Sequence, residues 1–172
     1  KDGVLKKLIS VDTSMKVGSS KFTEGQNVTA YNVPIASIDM KEYGNYTLTI
    51  TQTKSKNADC DHIVNIDGFR VYNTLNTDEA TTVYYEESFA TPVKGFAQSG
   101  EVGGNQQTGV PGDVENYNYG FDKKYADEAT GSSAGTQMTS SAIGDSAEFS
   151  FTGTGVDVYA NTTPTSGTVS IK

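Results

Sequence analysis

The sequence predicts an all-β fold, an antiparallel two-sheet β-sandwich. Three observations carry this. Several segments alternate apolar and polar residues with a period of two, the signature of a half-buried strand. Clusters of Gly, Asn, Asp, Ser and Thr separate them, and Gly stands at 18 of 172 residues. Helical periodicity is nearly absent, and hydrophobic residues make up only 35%, the balance of a chain of short strands and many turns.

The elements follow in order. Residues 4–11, bounded by Asp2-Gly3 and Asp12-Thr13-Ser14, form an apolar-rich strand. Residues 14–27 are polar and loop-like. Residues 28–35 are extended, with Pro34 marking an edge or an irregularity. Residues 40–45 read as a turn. Residues 46–53 alternate strictly, with Tyr46, Leu48 and Ile50 on one face and threonines on the other. A polar turn over 54–61 leads to a strand over 63–72, in which Asp67-Gly68 marks a bulge or bend.

The middle differs. Residues 77–88 hold a short helix or strand around Val83-Tyr84-Tyr85. Residues 95–120, rich in Gly, Gln and Asn, read as a long connection with little regular structure, which in a compact domain links modules or carries function. From Met138 strands return. Ala147, Phe149 and Phe151 point inward, Gly153-Thr154-Gly155 makes a tight turn or bulge, and Val156 to Tyr159 is extended. The sequence thus divides into residues 1–75, a connection over 76–137, and residues 138–172. The expected core includes Leu48, Ile50, Ile66, Val71, Phe149, Phe151, Val156 and Val158.

The two ends read as halves of one hairpin. Residues 168–172 form a strand that stops without a turn, and Lys1-Asp2-Gly3 is a turn with no strand before it. Read from residue 144 through the end and on into residue 1, the segments Phe149–Tyr159, Tyr46–Thr51 and Asn65–Tyr72 resemble the galactose-binding-like, jelly-roll β-sandwich. The likeness is greatest to versions embedded in repetitive surface proteins of Gram-positive bacteria, and it covers about two thirds of the chain. The resemblance implies the halves in the opposite order, so here they are exchanged. Three arrangements follow: a sandwich closed within one chain, one period of a tandem array, or residues 138–172 of one molecule completing residues 1–75 of the next. A flexible tether favours closure within one chain, through an effective concentration of about mM.

A net charge of −8 with a single arginine, Arg70, disfavours nucleic acid, whose phosphates need clustered Lys and Arg. No apolar run of about 18 residues is present to span a bilayer. Cys60 is the only cysteine, so no intrachain disulfide forms. Asp59, Cys60, Asp61 and His62 are the densest group of metal-ligand types and read as a polar turn. Cys60 and His62 are the single thiol–imidazole option, without an evident third group. Glu86-Glu87 and Asp127-Glu128 are carboxylate pairs that read as solvated.

Sugars bind by stacking on aromatic rings beside amides and carboxylates. Tyr84, Tyr85, Tyr117, Tyr119 and Phe121 lie in loop-like sequence and are the candidate glycan contacts, against a packing role for the same rings. No cofactor is expected beyond a structural calcium, for which Asp12, Asp122, Asp127 and Asp145 are candidates. The functional expectation is a non-enzymatic, extracellular or cell-surface structural and adhesive module. Its partners would be neighbouring copies of itself or adjacent repeats, assembled head to tail by strand complementation. The alternative is a carbohydrate-binding module.

Overall fold

Two long strands, β2 (Ala30–Thr53) and β8 (Ser146–Thr162), organise the computed structural model. The structure describes residues 7–14, 29–56, 58, 60–73, 81–94, 97–99, 132–133 and 137–172. Around the two long strands lie β1 (Ile9–Asp12), β3 (Val64–Asn73), β4 (Thr81–Glu86), β5 (Thr91–Lys94), β6 (Ala97–Ser99), β7 (Gln137–Ser140) and β9 (Thr168–Ile171). A 3-10 turn covers Glu87–Phe89. All strand pairings are antiparallel. One hydrogen-bonded path runs β1-β9-β2-β8-β3-β7-β6, with β4 added on β3 and β5 on β8. The fold is therefore all-β, and its sheet is one open, continuous surface.

Residues 40–45, expected as a turn, lie inside β2. The chain bends there without leaving the ladder. Asp39 pairs with Gly155 and Gly44 with Gly153, so the four β2 residues between them face Thr154 alone. Lys41 takes φ 62° in this bulge, and the Tyr46 hydroxyl closes it by donating to the Glu42 carbonyl at 2.9 Å. Residues 153–155, expected as a turn or bulge, likewise lie within β8. A Cβ on Gly153 would collide with the Tyr72 carbonyl oxygen, so glycine lets β3 approach the corner.

The bend folds β8 onto itself. Phe69 of β3 sits opposite Val158. Phe149 lies nine residues before Val158, about 30 Å away along a straight strand. Yet the Phe69 and Phe149 rings stack with centroids 4.0 Å apart and planes within 5°. The apolar faces of the two halves of β8 therefore meet across one core. That core contains all eight expected residues, Leu48, Ile50, Ile66, Val71, Phe149, Phe151, Val156 and Val158. It also takes in Phe69, Val64, Met138, Val169 and Ile171, each at most 1% exposed.

Asp67-Gly68 forms the expected bulge, with a register shift between Ile66 and Gly68 against β8. The region beyond residue 76 carries more ladder than its sequence suggests, because β4, β5 and β6 all join the sheet. At the ends, β1 pairs with β9 of the same chain, Ile9 opposite Ile171. A tight Asp2-Gly3 hairpin would instead set Lys6 opposite Ile171. Residues 1–6 lie outside the described residues.

Candidate ligand-binding face

Strand alternation sorts the side chains of β2, β8, β3 and β4 into two faces. Ala36, Ile38, Val156, Val158, Phe69 and Val71 enter the core. The opposite face follows from the register: Ser37 and Asp39 on β2, Gly155, Asp157 and Tyr159 on β8, Arg70 and Tyr72 on β3, Tyr84 and Glu86 on β4. This outer face is neither bare nor merely charged. Arg70 lies over the Tyr159 ring, 5.1 Å from its centroid, within cation–π range. Tyr84 tilts against Tyr159 at 5.8 Å.

At one end of this face is a cleft of about 510 Å³, lined by Ser37, Ile38, Asp39, Lys41, Tyr72, Thr154 and Gly155. Its shape follows from the register. Gly155 lies directly between Asp39 and Tyr72, and a residue without a side chain leaves a trough above β8. The walls are the flanking strands, about 10 Å apart at two strand spacings. Tyr72 is held in place because its hydroxyl donates to Asp157 Oδ2. That bond to a carboxylate raises the Tyr72 phenol above its usual range, with burial adding to it. On the other wall Asp39 Oδ1 accepts from the Lys41 backbone N–H at 2.8 Å, fixing the carboxylate at the bend. The trough thus offers one fixed phenol ring, a carboxylate, an ammonium and the hydroxyls of Ser37 and Thr154. The volume suits a small ligand.

At the other end of the face the β3 bulge buries an acid. Asp67 is 0% exposed. Its Oδ1 accepts from the Ser133 backbone N–H at 2.9 Å, while Ser133 Oγ donates to Glu86 Oε1 at 2.8 Å. Among the described residues, Asp67 Oδ2 and Glu86 Oε2 are buried without a hydrogen bond. Burial, with a smaller contribution from Glu86 nearby, lifts the Asp67 carboxyl to about 7. The Ser133 amide lowers it in part, and so does Asn161, which makes no well-formed bond to Oδ2. Burial also raises Glu86, against the Ser133 hydroxyl that lowers it. Burial and the Asp67 charge raise the Tyr84 phenol.

Of the expected glycan contacts, Tyr84 lies on the outer face. Tyr85, one residue on, points to the other side and packs on Phe89 and Phe149 at 5.4 and 5.6 Å. Tyr117, Tyr119 and Phe121 lie outside the described residues, as do Asp122 and Asp127. Asp12 is exposed and accepts from the backbone N–H and hydroxyl of Ser14 at 3.0 and 2.7 Å. Asp145 is buried, and its Oδ2 accepts from Ser140 Oγ and the Ala142 N–H, both at 3.0 Å, which fixes the turn before β8. Among the described residues no group of three or more His, Cys, Asp or Glu could hold a metal ion. The residues that sequence reasoning missed are Tyr72, Asp39, Lys41 and Asp157. They come from three strands, and only the cross-strand register unites them. No family model, curated protein or solved structure matches the chain.

Proposed function

We propose that this chain is a non-enzymatic carbohydrate-binding module that holds a glycan on the outer face of its sheet. The observation that carries the reading is the trough over Gly155, walled by Tyr72 on one side and by Asp39 and Lys41 on the other. A pyranose has an apolar face for a ring and hydroxyls for a carboxylate and an ammonium. The trough supplies both kinds of partner within one sugar's width, and its phenol is already immobilised by Asp157. Immobilised aromatics lose little entropy on binding. Arg70, Tyr84 and Tyr159 continue the same face away from the trough, which favours an extended glycan over a single sugar.

The buried Asp67 stands apart from the trough: it lies five residues along β3 from Tyr72, about 16 Å away. An adhesive role at a cell surface fits a module of this kind. The pairing of β1 with β9 at the edge of the sheet favours each copy closing on itself before joining any array.

A glycan array with the purified chain, followed by calorimetry on the best binder, tests the reading. The expected result is saturable binding weakened at least tenfold in Tyr72→Ala and in Asp39→Ala, with the far-ultraviolet spectrum unchanged. An array without binders, or equal affinity in both variants, overturns it. Release of reducing sugar from the bound glycan would overturn its non-enzymatic part.

A further inference from the structure

We propose that the glycan held on the outer face is acidic, a chain containing uronic acids, and that Arg70 receives a sugar carboxylate beside the trough. This rests on the reading of the face as a glycan site and names the class of sugar. Its basis is where the cations stand. The chain carries a net charge of −8 and a single arginine, and that arginine lies on this face between Asp157 and Tyr84. By register, Arg70 shares a row with Ser37 and Asp157, and Tyr72 occupies the next row with Asp39 and Gly155. The two β3 positions are about 7 Å apart. Lys41, past Asp39 on β2, lines the trough beyond the Tyr72 row. A sugar seated on the Tyr72 ring therefore has a cation on either side.

Both cations are open to a ligand. Arg70 and Lys41 are exposed, and among the described residues neither makes an ion pair. The acids of the face are mostly withdrawn. Asp157, opposite Arg70, is 7% exposed. Its Oδ2 takes the Tyr72 hydroxyl, and its Oδ1 is buried without a hydrogen bond, so it offsets part of the Arg70 charge without occupying the guanidinium. Asp67 is fully buried, and Glu86 is half-buried and bonded to Ser133. Asp39 is the exposed carboxylate. Two exposed cations thus face one exposed acid, the reverse of the charge balance of the whole chain.

Arg70 is also set for a planar anion. Its guanidinium lies over the Tyr159 ring, 5.1 Å from the centroid. That ring is 7% exposed and is braced by Tyr84 at 5.8 Å. Stacking engages the flat side of a guanidinium and leaves its N–H edge to donate. That fork pairs edge to edge with a carboxylate, through two charge-assisted hydrogen bonds. A uronic acid carries its carboxylate on the sugar ring itself. A sugar next to the one on Tyr72 would bring that group toward Arg70, while its ring still offers an apolar face to stack.

The test screens the full chain against oligosaccharides of galacturonate, glucuronate, mannuronate and guluronate, with neutral and sulfated glycans on the same array. Calorimetry then compares the best uronate with its carboxyl methyl ester, in the parent and in Arg70→Gln. The expected result is that the parent binds the acid at least tenfold more tightly than the ester, and that Arg70→Gln brings the two within about threefold. The ratio is the readout, because Arg70→Gln also removes the stack on Tyr159, and a purely structural effect would weaken acid and ester alike. Equal affinity of the parent for acid and ester, an unchanged ratio in Arg70→Gln, or tighter binding of a sulfated glycan than of any uronate overturns the proposal. A neutral glycan bound through Tyr72 with no preference for acids would overturn it while leaving the carbohydrate-binding reading in place. An array without binders overturns both.

Discussion

Asp67→Asn isolates the cost of burying an acid at the β3 bulge. The carboxyl moves from an ordinary 3.8 to about 7, mainly through burial. A group whose proton affinity rises on folding favours the folded state while it is protonated in both states. That advantage is whole below about pH 4. It drains away as the pH climbs to about 7 and the folded protein must hold a charge that the unfolded chain solvates freely. Each tenfold in proton affinity is worth about 1.4 kcal/mol, so this one group removes up to about 4 kcal/mol between pH 4 and pH 8. Asparagine keeps the oxygen that accepts from the Ser133 N–H and never ionises. It also offers an amide donor near Glu86, whose Oε2 is buried without a hydrogen bond. Urea unfolding at pH 4, 6 and 8 measures the effect as the difference between variant and parent, which cancels the titration of the other acids. The variant should gain on the parent by up to about 4 kcal/mol as the pH rises. A constant difference from pH 4 to pH 8 would refute the reasoning.

The remaining predictions address core, corner and edge. Phe149→Ala removes a ring that is 2% exposed and stacks on Phe69; it should cost about 3–5 kcal/mol in urea unfolding, and a loss under 1 kcal/mol would show that the halves of β8 do not pack together. Gly153→Ala places a methyl against the Tyr72 carbonyl and within 2.9 Å of Val71 Cγ1; it should lower the melting temperature by several degrees, and an unchanged melting curve would mean that β3 does not approach the corner so closely. Deleting residues 1–14 strips β1 from β9, together with the two bonds from Thr13 to the Gly167 carbonyl. A bared edge strand pairs readily, so light scattering should show concentration-dependent self-association absent from the full chain.

Much of the core was legible in the sequence because burial there follows a local rule. Period-two alternation marked Leu48, Ile50, Phe149 and Phe151, and the Asp67-Gly68 pair announced its own bulge. Phe69 was harder, since the bulge shifts the alternation by one and moves Phe69 and Val71 to the core side. The long strands were hidden for a related reason. Residues such as Lys41, Gly44, Gly153 and Gly155 mark a corner as readily as a turn, and only the pairing of β2 with β8 on both sides of the bulge decides between them. Of the outer face, only Tyr84 was legible. Tyr72 and Asp157 are 85 residues apart, and nothing local links either to Asp39. Cys60 and His62 lie together because an i, i+2 pair stays adjacent in the polar turn that the sequence announces.

The trough and the fold depend on the same glycines. Gly155 has no side chain because β2 leaves no room for one: a Cβ there would meet the Ile38 carbonyl oxygen at 2.9 Å. Gly153 is excluded from bearing one by β3. Both follow from the corner that lets β8 double back and stack Phe149 on Phe69. The empty space above Gly155 is therefore produced by the bend, and the bulge opposite it sets Lys41 and Asp39 on the rim. Binding and folding are separable only at the walls. Tyr72, Asp39 and Lys41 can be exchanged while the corner stands, whereas any side chain at 153 or 155 disturbs both at once. A variant that loses ligand and keeps its stability must carry its change on those walls.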